Sequence, residues 1–296
     1  MRFDKKSFFS SSLNTSKIIL VMVIPYFLLA ELLLYFELMP YIASIFEPFT
    51  KVLNLPPETA LALAAGILLN LYAAIAFAAP LDLSVYDWTI LGLFLGVLHS
   101  IPVESTIMKK LGVSWSRSVI FRVVMAFIVL IPMILIPSHY LFDNPELIQK
   151  SVYKIDHTPT DSFFDFMVIK SLEAITLSIE IIILITLVLF FTTLIKGLRF
   201  LKKFKHHLSV IAAMTTGVLI GITYGAGVLL KEAKHMTKQQ VMSVCYFLMV
   251  AHALIEDTLL FVIFGADIVL LIGIRLFFAV LVFLLINLYY KAKNPI

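Results

Sequence analysis

Eight apolar stretches, at about 18–38, 59–80, 88–108, 117–137, 168–195, 208–230, 240–264 and 266–289, leave this chain of 296 residues little polar surface with which to fold in water. Each is close to or above the roughly 20 residues that a helix needs to cross a hydrocarbon core about 30 Å thick. With 61% hydrophobic and 14% charged residues, the chain is expected to be an all-α, polytopic integral membrane protein forming one membrane domain. The segment Met1–Lys6 leads into an apolar run too long for a signal peptide, with no small-residue cleavage site, so the first helix is expected to be retained. The single cysteine, Cys245, excludes an internal disulfide. The net charge of +4 gives no reason to expect nucleic-acid binding, because the basic residues flank apolar runs as topology signals do. No phosphate-binding glycine loop and no hydrolase or kinase motif occurs, so no enzyme activity and no resident cofactor are expected.

The stretches fall into two sets of four, an internal duplication. Superimposed, Glu31 stands against Glu180, Gly66 against Gly217, His99 against His252, Glu104 against Glu256, Thr106 against Thr258, Gly112 against Gly265, and Arg122 against Arg275. Repeat 1 spans about 17–138 and repeat 2 about 168–290, joined by an extracytoplasmic loop at 139–167.

Counting lysines and arginines tests the topology. If all eight stretches cross the membrane, 11 fall inside and 10 outside, which is no bias. If the third stretch of each set dips in and returns, 15 fall inside and 6 outside, with both termini cytoplasmic. Each repeat then has three transmembrane helices and one re-entrant hairpin with its tip near His99–Glu104 or His252–Thr258, and the two repeats are inverted. A cell membrane location follows, a bacterial inner membrane being expected, with the basic run Lys196–His207 near cytoplasmic lipid headgroups.

Ionisable side chains at bilayer depth mark a pathway or a partner. The expected binding residues are His99, Glu104, Thr106, His252, Glu256, Asp257 and Thr258, with His99, Glu104, His252 and Glu256 as candidate metal ligands. Glu31, Arg122, Glu180 and Arg275 are supporting intramembrane charges, the arginines being expected to neutralise the glutamate of their own repeat. Asn70, Tyr72, Thr223 and Tyr224 are candidate cavity-lining residues. Five acids against two arginines favour a cation, and histidine with carboxylate favours a divalent one. The reading is membrane transport of a small polar solute, preferably a divalent cation. The alternatives are a nucleoside or similar solute coupled to protons or sodium, and a non-transporting scaffold whose buried charges are structural. Partners would be lipid, the solute or ion, and further copies of the chain.

The duplicated His…Glu-x-Thr segments, the glycine-bearing helix before each and the arginine helix after each resemble the gate-domain, or nucleoside-recognition domain, membrane proteins. That family includes the gate regions of nucleoside transporters and ferrous-iron transport proteins, and the spore-maturation membrane proteins. The resemblance covers about 61–136 and 211–286 and implies a transport-type fold with paired gates. The chain lacks the GTP-binding domain of the ferrous-iron proteins, so transport would use another energy source or be passive.

Overall fold

A computed structural model describes residues 5–135, 162–196 and 209–293. Most of the connecting loop, with Asp156, His157 and Asp161, and the run from residue 197 to 208 lie outside the described residues. The protein is an all-α polytopic membrane protein. Among the described residues, six segments are long and apolar enough to cross a membrane: Phe8–Tyr35, Val85–Lys110, Trp115–Met133, Phe163–Phe191, Lys238–Val262 and Ile268–Lys293.

The first half comprises α1 (Lys5–Tyr35), α2 (Met39–Val52), a short 3-10 turn (Pro57–Thr59), α3 (Ala60–Leu68), α4 (Leu71–Ala78), α5 (Val85–Leu98), α6 (Ile101–Lys110), α7 (Trp115–Ile128) and α8 (Ile131–Leu135). The second comprises α9 (Phe163–Lys196), α10 (Ser209–Ala233), α11 (Lys238–Ala251), α12 (Leu254–Val262) and α13 (Ile268–Lys293). Capping boxes start α5 and α11. Ser84 and Asp87 satisfy each other's backbone N–H groups in the first, and Thr237 and Gln240 do so in the second.

The fold-back lies one stretch earlier than the charge count suggests. Helices α3 and α4 pack along each other, and at 1.5 Å per residue each is about 12–13 Å long, less than half of a hydrocarbon core. In α10 the backbone leaves the helix at Gly221, with φ of 80° and ψ of 176°, a left-handed φ that suits glycine. A Cβ placed on Gly225 would sit 3.6 Å from Cγ2 of Thr216. Residues nine apart on a straight helix are about 13 Å apart, so the halves 209–220 and 222–233 form a second hairpin. The glycines of this helix therefore do not form one continuous face.

The stretches expected to fold back instead run on. Helices α5 and α6 do not pack along each other, and neither do α11 and α12. At one end of the molecule the Trp88 ring stacks on Phe264, with centroids 4.5 Å apart, and the Asp267 N–H donates to Thr89 Oγ1 at 3.0 Å. At the other end, a Cβ on Gly112 would lie 3.5 Å from Met242 Cε. The pairs α5–α6 and α11–α12 are thus broken crossing helices, and they run antiparallel. Helices α1 and α9 are antiparallel too, joined by Phe8 to Phe190 at one end and Tyr35 to Phe166 at the other.

This arrangement segregates charge. Among the described residues, Lys5, Lys109, Lys110, Arg117, Lys231, Lys234, Lys238, Lys291 and Lys293 lie at one end. At the other, Lys51 stands among Glu37, Glu47, Glu58, Asp82, Asp87, Asp165 and Asp267. Moving the second fold-back into α10 carries Lys231, Lys234 and Lys238 to the basic end and sharpens the bias.

In a Cys245→Ala background, Ser116→Cys and Lys234→Cys should react with an impermeant maleimide from the same side of the membrane, and Lys51→Cys from the other. Both eight crossings and a fold-back at the third stretch put residues 116 and 234 on opposite sides.

Candidate functional site

Both broken helices part at a histidine. His99 is extended, with φ of −73° and ψ of 162°, and Ser100 after it is left-handed, with φ of 49°. His252 and Ala253 repeat this, with φ of −79° and ψ of 158°, then φ of 44°. A non-glycine residue in that region costs about 1–3 kcal/mol and persists only where its surroundings fix it.

The hairpins fix it from one side. The Ser100 N–H donates to the Gly66 carbonyl at 2.9 Å, and the Ala253 N–H donates to the Gly217 carbonyl at 2.9 Å. The close approach needs glycine, because a Cβ on Gly66 would meet Leu95 at 2.8 Å and one on Gly217 would run into Leu248. Ser100 adds a hydroxyl bond to the Leu69 carbonyl at 2.9 Å, for which Ala253 has no group.

The arginines fix it from the other side. Arg122 donates through Nε to the Val97 carbonyl at 2.7 Å and through Nη2 to the His99 carbonyl at 2.8 Å. Arg275 donates through Nε to the Val250 carbonyl at 3.2 Å, and through Nη2 to the carbonyls of His252 at 2.8 Å and Gly96 at 2.6 Å. The carbonyls freed at each break thus receive a cation, which also suits the negative C-terminal ends of α5 and α11.

Each arginine holds one acid, but not the pair that superposition suggested. Arg122 Nη2 lies 2.8 Å from Glu104 Oε2, whereas Arg275 Nη2 meets Asp257 Oδ2 at 3.3 Å. Asp257, not Glu256, is therefore the counterpart of Glu104. The interval of 153 that separates His99 from His252, Gly112 from Gly265 and Arg122 from Arg275 also separates Glu104 from Asp257. Helical register runs unbroken from the left-handed residue onward, so Glu256 falls at the place of Val103. It accepts a hydrogen bond from Tyr72 OH at 3.0 Å.

The two imidazoles meet where the broken helices cross. Nδ1 of His99 lies 2.8 Å from the Leu95 carbonyl, and Nδ1 of His252 lies 2.8 Å from the Leu248 carbonyl. Carbonyl oxygen only accepts, so Nδ1 carries the proton in both rings. The two Nε2 atoms are 3.3 Å apart. Glu104 closes the group, with Oε2 at 3.1 Å from His252 Nε2 and Oε1 at 3.5 Å from His99 Nε2. All three side chains are buried.

Beside them is a cavity of about 310 Å³, lined by His99, Glu104, His252, Glu256 and Asp257, by Asn70 and Tyr72 from the first hairpin, and by Gly221 and Thr223 from the second. Thr223 Oγ1 lies 3.4 Å from Glu104 Oε1. Asn70 also caps α4 by accepting the Ala73 N–H at 3.0 Å.

Other expected residues fall elsewhere. Thr106 is exposed and donates to the Pro102 carbonyl, and Thr258 is buried but lies off the cavity. The Tyr224 side chain lies outside the described residues. Glu31 is buried, 3.2 Å from Lys170 Nζ, and Lys170 is buried too, bridging to Glu173 at 2.9 Å. Lys170 is therefore a partner inside the helix bundle; no local spacing signals this, because it reaches Glu31 from another helix. Glu180 is exposed on α9 and does not join Glu31 or the cavity. Around the cavity the count is thus Glu104, Glu256 and Asp257 against Arg122 and Arg275, one acid in excess rather than three.

No known family's sequence profile matches the chain, and no solved structure matches it. The chain is similar to the uncharacterized membrane protein YvoD of Bacillus subtilis, with 28% identity over 286 residues covering 92% of this chain and 90% of that one. The likeness runs through both halves and agrees with the membrane architecture.

Arg122→Gln leaves two buried carbonyls and a carboxylate short of a partner, and should cost about 3–5 kcal/mol of stability, read as a lower midpoint of unfolding in detergent. Thr176→Val, on the exposed face of α9, should leave the midpoint unchanged. A wild-type midpoint for Arg122→Gln would refute the capping role.

Proposed function

We propose that this protein transports a small polar solute, preferably a cation, across the cell membrane through the cavity at the two helix breaks. The observation that carries the reading is a cavity with one acid in excess among its lining, set where two broken, antiparallel membrane helices cross. Discontinuous helices meeting near the middle of a bundle are the plan of many secondary transporters. A negative interior is hostile to anions and suits a cation.

In this reading the two halves are inverted repeats, and their rocking about the cavity alternates access. The basic end faces the cytoplasm, which makes both termini cytoplasmic and fits a bacterial inner membrane. Glu256 supplies the uncompensated charge that attracts the cation, with Tyr72 holding its carboxylate toward the cavity. Glu104 and Asp257 keep their arginines and hold the breaks open. In this reading the solute passes through the cavity unchanged, and no enzyme activity is proposed.

The volume supports a second reading. At about 310 Å³ the cavity exceeds what a bare ion needs and reaches the lower limit of small-molecule sites. A nucleoside-sized solute meeting Asn70 and Tyr72 would use the same route.

Flux into proteoliposomes distinguishes these readings. With a panel of mono- and divalent cations and nucleosides, wild-type protein should move one class. Glu256→Gln should lower that flux roughly tenfold or more, by about 1.4 kcal/mol or more of barrier, while its unfolding midpoint stays near wild type. Absence of flux for every solute, with the protein folded and oriented, would remove transport in favour of a scaffold role.

A further inference from the structure

We infer that His99, His252 and Glu104 form a binding site for one divalent first-row transition metal ion of the Co²⁺ to Zn²⁺ range. The inference deepens the transport reading by naming the class of cation, and it rests on that reading only for the ion being cargo.

The first argument is the tautomer. Both rings spend their Nδ1 proton on the carbonyl four residues earlier, and each therefore turns the lone pair of Nε2 toward the other ring. At 3.3 Å two lone pairs repel, and no neutral arrangement places a proton between them without giving up a carbonyl bond. A cation between the nitrogens removes the repulsion. A histidine whose second ring nitrogen donates to a backbone carbonyl is also the usual arrangement for a metal-binding imidazole.

The second argument is size. Tetrahedral zinc sites have bonds of about 2.0–2.1 Å to imidazole nitrogen and carboxylate oxygen, so neighbouring donor atoms are about 3.3–3.4 Å apart. The two nitrogens stand at that separation, 3.3 Å, and Glu104 brings a different oxygen to each, Oε2 at 3.1 Å to His252 Nε2 and Oε1 at 3.5 Å to His99 Nε2. Three donors are supplied by the protein, and a fourth position would remain toward the cavity for water and for exchange. Glu256, named as a ligand from sequence, has its carboxylate on Tyr72 instead and acts from the cavity as uncompensated charge.

The third argument is donor chemistry. Two imidazoles and one carboxylate suit ions such as Co²⁺, Ni²⁺ and Zn²⁺. Mg²⁺ and Ca²⁺ require about six or more oxygen ligands, which this group does not offer. Arg122 holds Glu104 through Oε2, the same oxygen that lies nearest His252 Nε2, and it withdraws part of the carboxylate's charge. The affinity should therefore be that of an exchanging site rather than a permanent structural one.

The test uses full-length protein in detergent, with its affinity tag removed and metal stripped by chelation. Titration with Co²⁺ should give one equivalent per chain with an intense visible absorption band, displaced by Zn²⁺ and unaffected by excess Mg²⁺, Ca²⁺ or Na⁺. His99→Gln and His252→Gln should each weaken Co²⁺ binding by about tenfold or more, and Thr176→Val should not. Zinc-edge X-ray absorption on wild-type protein should show two imidazoles, a result independent of whether the variants fold. Substoichiometric Co²⁺, displacement by Mg²⁺ as readily as by Zn²⁺, or a zinc spectrum without imidazole scattering would overturn the site. One bound metal without flux supports the site and overturns transport alone; flux of an alkali cation or nucleoside without metal binding overturns the site and leaves transport standing.

Discussion

In hydrocarbon, a backbone carbonyl without a partner costs several kcal/mol, and two helices of this protein break where such carbonyls appear. The structure depends on how they are satisfied. Arg122 and Arg275 reach back from the helix that follows each break and take the freed carbonyls of α5 and α11. On the opposite side, the first N–H group after each break goes to a glycine carbonyl in a hairpin. A guanidinium suits the first task because it presents several donors in a fixed fork and stays charged when buried. Glycine suits the second because a Cβ there would run into the packed side chain of Leu95 or Leu248.

These contacts explain why the histidines are where they are. The residue that ends α5 or α11 is extended, so its side chain leaves the helix while its Nδ1 still reaches the carbonyl one turn back. Antiparallel crossing then brings the two rings together, with centroids 4.9 Å apart and planes tilted by 39°. The two halves therefore supply one imidazole donor each from matching breaks, and Glu104 supplies the third from the first half. Its counterpart Asp257 is a methylene shorter and stays on Arg275. Symmetry builds the frame, and departures from it, Glu256 opposite Val103 and Ala253 opposite Ser100, make the cavity one-sided.

The hairpins bring the remaining polar groups. Their tips, at Leu69–Asn70 and Gly221, stop short of crossing and deliver Asn70, Tyr72 and Thr223 to the same cavity. A separate ion pair, Glu31 with Lys170, joins α1 to α9 away from the breaks. It accounts for two of the buried charges without placing either in the cavity lining.

The sequence by itself determined the membrane class, the number and rough limits of the apolar segments, the repeated spacing of histidine, glycine and arginine, and most of the ionisable residues that line the cavity, because apolar length and the cost of buried charge act locally and leave a visible pattern. It also holds the register of the two halves: the constant interval of 153 residues assigns Asp257 to Glu104, although the shared Glu-x-Thr spelling points to Glu256. Only the tertiary structure decided which stretch folds back, since Pro102 lies in the first turn of α6 and turns nothing, while the turn at Leu69–Asn70 has no glycine or proline to announce it. It alone decided that Lys170 reaches Glu31 and that two imidazoles 153 residues apart confront each other at 3.3 Å. Such pairings depend on how whole helices cross, and helix crossing is set by the packing of many side chains at once rather than by any short run of residues.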